Sequence, residues 1–284
     1  MVDGHRSEIT DLEEKALHFR KTMVAMMAKA GAGHLGPAMS STELVTALYF
    51  HTLRMVSPTD PSRPDRDRFV MSAGHKCGIL YAVLAEKGYI SRETLDTFLE
   101  FDKTLGGHPD MRKIPGVEAS TGSLGHGLSI GVGMALAGKI DVLPYRVFVL
   151  LGDGELAEGS NWEAAMSACH FKLDNLVAIV DRNRLQIDGP TEDVMALEPL
   201  ADKWRSFGWA VTEINGHDFS AIVQTFDNVP LEKGKPTCII AHTTKGKGVS
   251  FMENKVAWHY KAPNKEEAVM ALEELGAVKG KEGR

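Results

Sequence analysis

A three-layer α/β fold on a mostly parallel sheet is what this sequence predicts, and three observations carry it. Short runs rich in Val, Ile and Leu, such as residues 146–151 and 176–180, lack the polar alternation of half-exposed strands. Amphipathic segments of helical spacing alternate with them, as in a series of βαβ units. The 284 residues, 43% hydrophobic and 25% charged, can bury a large core and leave no composition typical of disorder.

Taken in order, residues 12–29 (LEEKALHFRKTMVAMMAK) carry apolar side chains at helical spacing. Residues 42–53 repeat the pattern behind Ser40 and Ser41, which are placed to cap it. A strand is expected over 67–72, then helices over 75–86 and 93–101. Residues 127–139 (GLSIGVGMALAGK) read as a helix of small residues, suited to close packing on other backbone. A regular alternation follows: strand 146–151, helix 161–170, strand 176–180, helix 200–207 stopped by Gly208, strand 209–214, helix 218–226 and strand 237–241. No repeat or linker interrupts it. One domain is expected over 1–284, with a core of about 12–263 and a tail, 264–284, made of a short helix and a charged, frayed end.

The formal net charge of −6 argues against a nucleic-acid or anionic-membrane surface. No apolar stretch is long enough for a membrane span, and the charged N-terminus has no secretory apolar region. Cys77, Cys169 and Cys238 are far apart and form no CxxC pair. They read as small buried side chains in a reducing cytoplasm.

LLGDGELAEGSNWEAAMSACHFKLDNLVAIVDRNRLQIDG sets Asp153 between two glycines after one apolar run and ends the next run at Asn183, thirty positions later (183 − 153). In a βαβ unit both emerge at the carboxyl edge of the sheet, where open α/β sheets bind ligands. Asn183 should be exposed there, with Gly152 and Gly154 letting the backbone turn sharply. A carboxylate and an amide carbonyl are hard oxygen donors that leave coordination positions free. This suits Mg²⁺ (or Ca²⁺/Mn²⁺) bridging a diphosphate. A lone GDG would read as an Asx turn; the paired Asn favours the cation.

Of eleven histidines, an unusual share follow Gly, among them His34, His75, His108, His126 and His217. None has zinc spacing. Loop histidines that donate, accept and exchange protons near neutrality suit a ligand rich in hydroxyls. TTKGKGVS lacks the Ser or Thr of a Walker loop and GSLGHG is not GxGxxG, so neither an ATPase nor a nicotinamide fold is expected.

The ordered set AGAGHLGPAMSSTEL, DRDRFVMSAGHKCGILY, GGHPDM, STGSLGHGLSIGVGMA, GDGELAEG, DRNRLQIDGP and KGKGVSFMEN resembles transketolases. More narrowly, it resembles the amino-terminal subunit of a split transketolase. The resemblance implies a thiamine-diphosphate-binding domain of the diphosphate type, with metal ligands Asp153, the Asn183 side chain and the Leu185 carbonyl. It implies cofactor contacts from His75, Gly154, Asn183, His259 and the Gly122-Ser123-Leu124 turn. His34, His108 and His259 would serve catalysis. Glu158 and Glu163 would form a buried acid relay between two cofactor sites across a dimer interface. AWHYKAP carries one residue more than the family's His-Gly-Ala-Pro, Arg184 stands where Gly often follows the Asn, and His126 where Gln is usual. His5, His18, His51, His170 and His217 are left as structural or surface groups.

Whole-chain transketolases bind the cofactor's pyrimidine through a Glu in a second domain, which 284 residues leave no room for. Half an enzyme is therefore expected, with a separately encoded C-terminal subunit supplying that Glu in an α2β2 heterotetramer. The implied reaction moves a two-carbon ketol group from a ketose phosphate to an aldose phosphate, in pentose-phosphate-type carbohydrate metabolism. The sugars, sulfonated ones included, are not fixed by this sequence. Alternatives are a 1-deoxyxylulose-phosphate-synthase-like enzyme, a 2-oxoacid dehydrogenase α subunit, and a noncatalytic cofactor-binding subunit.

Overall fold

The computed structural model describes residues 2–277, with side chains described over 6–276. The side chain of His5 and the charged end of the tail lie outside the described residues. Helix α1 (Val2–Ala30) leads into two short helices, α2 (Leu35–Ser40) and α3 (Thr42–Ala47), the latter extended by a wide turn over Leu48–Thr52. Strand β1 (Arg68–Met71), α4 (Cys77–Glu86), the single-turn α5 (Arg92–Leu95) and α6 (Gly127–Ile140) follow. The regular part runs β2 (Val147–Gly152), α7 (Gly159–His170), β3 (Leu176–Arg182), a small β4 (Leu185–Gln186)/β5 (Gly189–Pro190) hairpin, α8 (Thr191–Val194), α9 (Leu200–Ser206), β6 (Ala210–Asn215), α10 (Phe219–Asp227) and β7 (Thr237–His242). Helix α11 (Lys265–Ala277) lies against α1, with Ala271 and Leu275 buried.

The five long strands pair in parallel in the order β1-β2-β3-β7-β6, with helices on both faces. Every residue of β2 and β3 is buried. Their period-two geometry sends alternate residues into two separate cores. Phe148, Leu150, Val177 and Ile179 join α1, α3, α4, α10 and α11 on one face. Val147, Val149, Leu151, Leu176, Ala178 and Val180 join α6, α7 and α9 on the other. Each Val, Leu, Ile or Phe side chain so buried stabilises the fold by about 1.5–3 kcal/mol. Among the described residues no helix is long and apolar enough to cross a membrane.

Several local expectations are corrected. Ser40 and Ser41 cap nothing: Ser40 ends α2 and gives its hydroxyl to Asp181 and the Pro37 carbonyl, and Ser41 turns back to Pro37 at 3.3 Å. The helix expected over 93–101 stops at Leu95, because Leu99 and Asp102 take left-handed conformations and the Leu99 N–H bonds the Leu105 carbonyl at 2.9 Å. Strand β6 is not buried on both faces. With only β7 beside it, it leaves Glu213 and Asn215 exposed.

Candidate functional site

Register brings the site together. Gly152 at the end of β2 pairs with Asp181 of β3, so Asp153 and Asn183 leave the sheet at neighbouring strand ends. Both side chains are inward: Asp153 is 1% exposed and Asn183 5%. The expectation of an exposed Asn183 is thus corrected. Its Oδ1 accepts from the Leu185 N–H at 3.1 Å and its amide reaches back toward the Asp181 carbonyl, which fold the side chain into the turn. Asp153 accepts from the Gly154 N–H at 2.8 Å, from Arg182 at 3.2 Å and from the Arg184 N–H. Arg184 is left-handed, φ 67°, the conformation that explains a Gly at such a position. The turn tolerates Arg because its long side chain points out and its N–H does the binding.

Gly152 and Gly154 do not act through conformation, as neither has a positive φ. Gly154 instead saves space: a Cβ there would sit 3.0 Å from Gln186 Cβ. Burial, and then the Asp181 charge, push the Asp153 carboxyl above its usual range, opposed by the Arg184 N–H, Lys76 and Arg182. Such a carboxylate favours a cation close by.

The Leu185 carbonyl already accepts from one. Lys245, 1% exposed, donates to it at 2.6 Å and lies 2.9 Å from His259 Nδ1. Burial brings the Lys245 ammonium down to about 8, with Lys76 adding to that and Asp153 and Asp181 opposing it. A carboxylate, an amide oxygen and a carbonyl that holds a buried cation make a donor set that fits a hard divalent ion.

Four of the predicted histidines converge beside it. Ring centroids lie 5.1 Å apart for His34 and His75, 6.3 Å for His34 and His108, 5.8 Å for His34 and His259 and 5.4 Å for His75 and His259. The Tyr260 ring lies 4.6 Å from that of His34, tilted by 52°. Burial is the foremost cause that lowers all four, aided for His34 by His108 and Lys245. His34 falls to about 4 and His259 to about 3. At neutral pH these rings are uncharged, each with one donor and one acceptor, ready to bond hydroxyls or to donate one N–H to a phosphate oxygen.

The GSLGHG turn borders the ring. Gly122 is left-handed, and a Cβ there would come within 2.8 Å of the His108 ring. The Gly125 N–H donates to Glu155 at 2.9 Å. Glu155, which sequence reasoning missed, is 3% exposed and also accepts from the Gly152 N–H and the Ser72 hydroxyl. Ser123 and His126 are exposed, and Leu124 is half-buried. Glu158 and Glu163 are both exposed in the single chain.

Three further charges were not singled out. Lys76 and Asp181 form an ion pair 1% and 0% exposed, with Ser40 and Thr243 also bonded to Asp181. Arg182, 1% exposed, links Asp153 to Thr191, Glu192 and Glu198. The strand signal was the only sign for Asp181 and Arg182, since charges at the end of a fully buried strand must find partners. For Lys76 and Lys245 no pattern distinguishes them from surface lysines.

Comparison with known proteins bears on the family and the fold. The family description "Transketolase, thiamine diphosphate binding domain" matches residues 13–281. An apulose-4-phosphate transketolase subunit from Phocaeicola vulgatus is 50% identical over 94% of this chain and 95% of its own length. The 6-deoxy-6-sulfo-D-fructose transketolase subunit SqwG of a Clostridium species is 45% identical over 94% and 98%. Human transketolase is 39% identical over 95% of this chain but only 43% of its own. The crystal structure of Campylobacter jejuni transketolase superposes with a TM-score of 0.88 at 32% identity, over 94% of this chain and 43% of that one. The chain thus matches subunit-sized relatives end to end and spans about two-fifths of the long ones. It belongs to the transketolase family, as a chain of the amino-terminal, thiamine-diphosphate-binding kind.

Proposed function

We propose that the chain is the diphosphate- and Mg²⁺-binding subunit of a two-subunit transketolase. It works in the cytoplasm with a separately encoded C-terminal subunit that supplies the pyrimidine-binding Glu, as an α2β2 heterotetramer. The observation that carries this reading is the meeting of Asp153, Asn183 and the Leu185 carbonyl with a ring of four histidines at one sheet edge. Relatives named as transketolase subunits, of nearly the same extent, support the division of labour.

Asp153, Asn183 and the Leu185 carbonyl hold the metal, while His75, Gly154 and the Gly122-Ser123-Leu124 turn hold the cofactor. Thiamine diphosphate supplies the electron sink that lets a bond beside a ketone break and re-form. The chain's own work is positional. His34, His108 and His259, uncharged at neutral pH, orient the sugar's hydroxyls and pass protons to and from its oxygens. His34, His75 and His259 are half-buried while His108 and Tyr260 are exposed, so closing the site against water falls to the partner subunit. Glu158 and Glu163, solvated here, become the acid relay once a second copy or partner covers α7. The substrates are a ketose phosphate, or an analogue such as the apulose 4-phosphate or 6-deoxy-6-sulfo-D-fructose named for the relatives, and an aldose phosphate acceptor.

The test is to purify the chain together with a C-terminal transketolase subunit, sought first among the products of adjacent genes. The pair is assayed with xylulose 5-phosphate, sulfonated and branched ketoses as donors and ribose 5-phosphate as acceptor. Ketol transfer by the pair and none by either chain alone is expected. Full turnover by the isolated chain would remove the partner from the reading. Pyruvate-dependent CO₂ release would favour a 1-deoxyxylulose-phosphate-synthase-like or 2-oxoacid dehydrogenase role. Cofactor binding without any turnover would favour a noncatalytic subunit.

A further inference from the structure

The KGKGVS segment is not a phosphate loop, yet its shape is strictly set. Gly246 and Gly248 are both left-handed, φ 76° and 99°, and a Cβ at Gly246 would lie 2.6 Å from the Met252 carbonyl oxygen. From α1, Arg20 packs along Gly248 and donates through Nε to the Lys247 carbonyl at 2.8 Å. The same guanidinium bonds Glu43 of α3 at 2.8 Å and the Met39 carbonyl at 3.2 Å. Glu43 in turn meets His217 Nδ1 at 3.0 Å, and His217 Nε2 accepts from the Thr244 N–H at 2.8 Å. That last bond leaves the ring proton on Nδ1, pointed at Glu43. Arg20 and Glu43 are each 6% exposed. Burial opposes ionisation of Glu43, but Arg20 and the His217 bond outweigh it and hold the carboxyl at about 2.

We propose that Glu43 and His217, braced by Arg20, are positioning residues for the site. They form an internal strut that fixes the backbone at Thr244. Through that backbone they hold the neighbouring Lys245 on the Leu185 carbonyl and against the His259 ring. Three otherwise separate pieces, α1, the start of α3 and the turn after β6, supply one group each, and all three lead to the 244–247 backbone. A network serving only to join α1 to α3 would need neither His217 nor the bond from Thr244. The proposal rests on the cofactor-site reading above, because Lys245 matters only if Leu185 is a ligand.

The experiment uses the chain co-purified with its C-terminal partner subunit, with Mn²⁺ and thiamine diphosphate as probes, followed by electron paramagnetic resonance of the bound ion. Thermal melting is recorded in parallel. His217→Ala is expected to weaken Mn²⁺ binding in the presence of thiamine diphosphate about ten-fold, the usual size for a residue behind a ligand. His217→Gln, which keeps one acceptor and one donor, should restore most of it. In a Lys245→Met background His217→Ala should cost nothing more, since the strut then has nothing to position. Glu43→Gln gives the same comparison should His217→Ala not fold. A lowered melting temperature with unchanged affinity, equal losses for Ala and Gln, or losses that simply add with Lys245→Met would each overturn the proposal. Failure of the wild-type pair to bind the probes at all would instead overturn the cofactor-site reading, and this proposal with it.

Discussion

On one face of the sheet α1, α3, α4, α10 and α11 bring long side chains, and Met23, Phe19, Leu44, Tyr81 and Phe226 are almost fully buried beneath them. On the other, α6 and α7 are built largely from small residues and leave Ile140 71% and Met166 58% exposed. Gly131 lets α6 press onto β2, where a Cβ would lie 2.5 Å from Val149, whereas two residues on Gly133 has nothing within 4 Å. The first face is covered by long side chains within this chain, though α11 leaves Val269 55% and Met270 52% exposed; the second has a tightly packed inner surface and an outer surface of small and apolar groups in water. That difference is what an interface between chains requires. It supports the partner proposed above, and the GSLGHG turn and Glu158 lie at the start of those two helices.

The ways to break or sharpen this comparison run from large effects to small. The largest lies at the edge where the faces meet: Asp153→Asn keeps the packing but removes the charge. It should lower Mn²⁺ affinity in the presence of thiamine diphosphate by about a hundred-fold or more, measured by titration. Next, Met23→Ala on the closed face should cost about 2–5 kcal/mol in denaturant unfolding. Met166→Lys on the open face should change the isolated chain by less than about 0.5 kcal/mol and abolish co-purification with the partner. Equal costs at the two positions would erase the distinction between the faces.

Within α6 the contrast can be tested two residues apart. Gly133→Ala should stabilise the isolated chain by up to about 1 kcal/mol, the helix-propensity difference. Gly131→Ala should destabilise it by about 1–3 kcal/mol through overpacking against Val149.

The smallest effect is a pH dependence on the closed face. His51 bridges Glu8 of α1 and Asp227 of α10 at 2.7 and 2.8 Å. Burial lowers its value, but the Glu8 and Asp227 bonds prevail and raise it above 6.5. A raised folded value gives stability that is fully present below the unfolded value and is lost as pH rises through the folded one. The partners are 44% and 58% exposed, so the loss should stay under about 1 kcal/mol. His51→Gln should flatten that stretch of the melting-temperature profile.

The fold was legible because parallel strands buried on two faces leave continuous apolar runs, and β2, β3 and β7 were found within two residues of their bounds. Edge strand β6 was misjudged for the same reason, since a run of Val and Ile does not say how many neighbours a strand has. Of the site, Asp153, His34, His75 and His108 were legible from the glycines beside them and Asn183 from its place after an apolar run, whereas His259 has no such neighbour and rested on the family resemblance. Lys76, Asp181, Arg182, Lys245 and Glu155 were not. A buried charge is written with the same letter as a solvated one, and only its partners, often tens to a hundred or more positions away, distinguish the two.

At Gly122 the His108 ring occupies the place a methyl group would take. The ring's lateral position is therefore inherited from a hydrogen atom fourteen residues further along the chain (122 − 108). Adaptation to a bulkier or differently branched sugar has room to exchange His108 itself, but hardly any to alter the surface it leans on. Diversity among related chains with new sugar preferences should gather on the ring's open side and leave that backbone position bare.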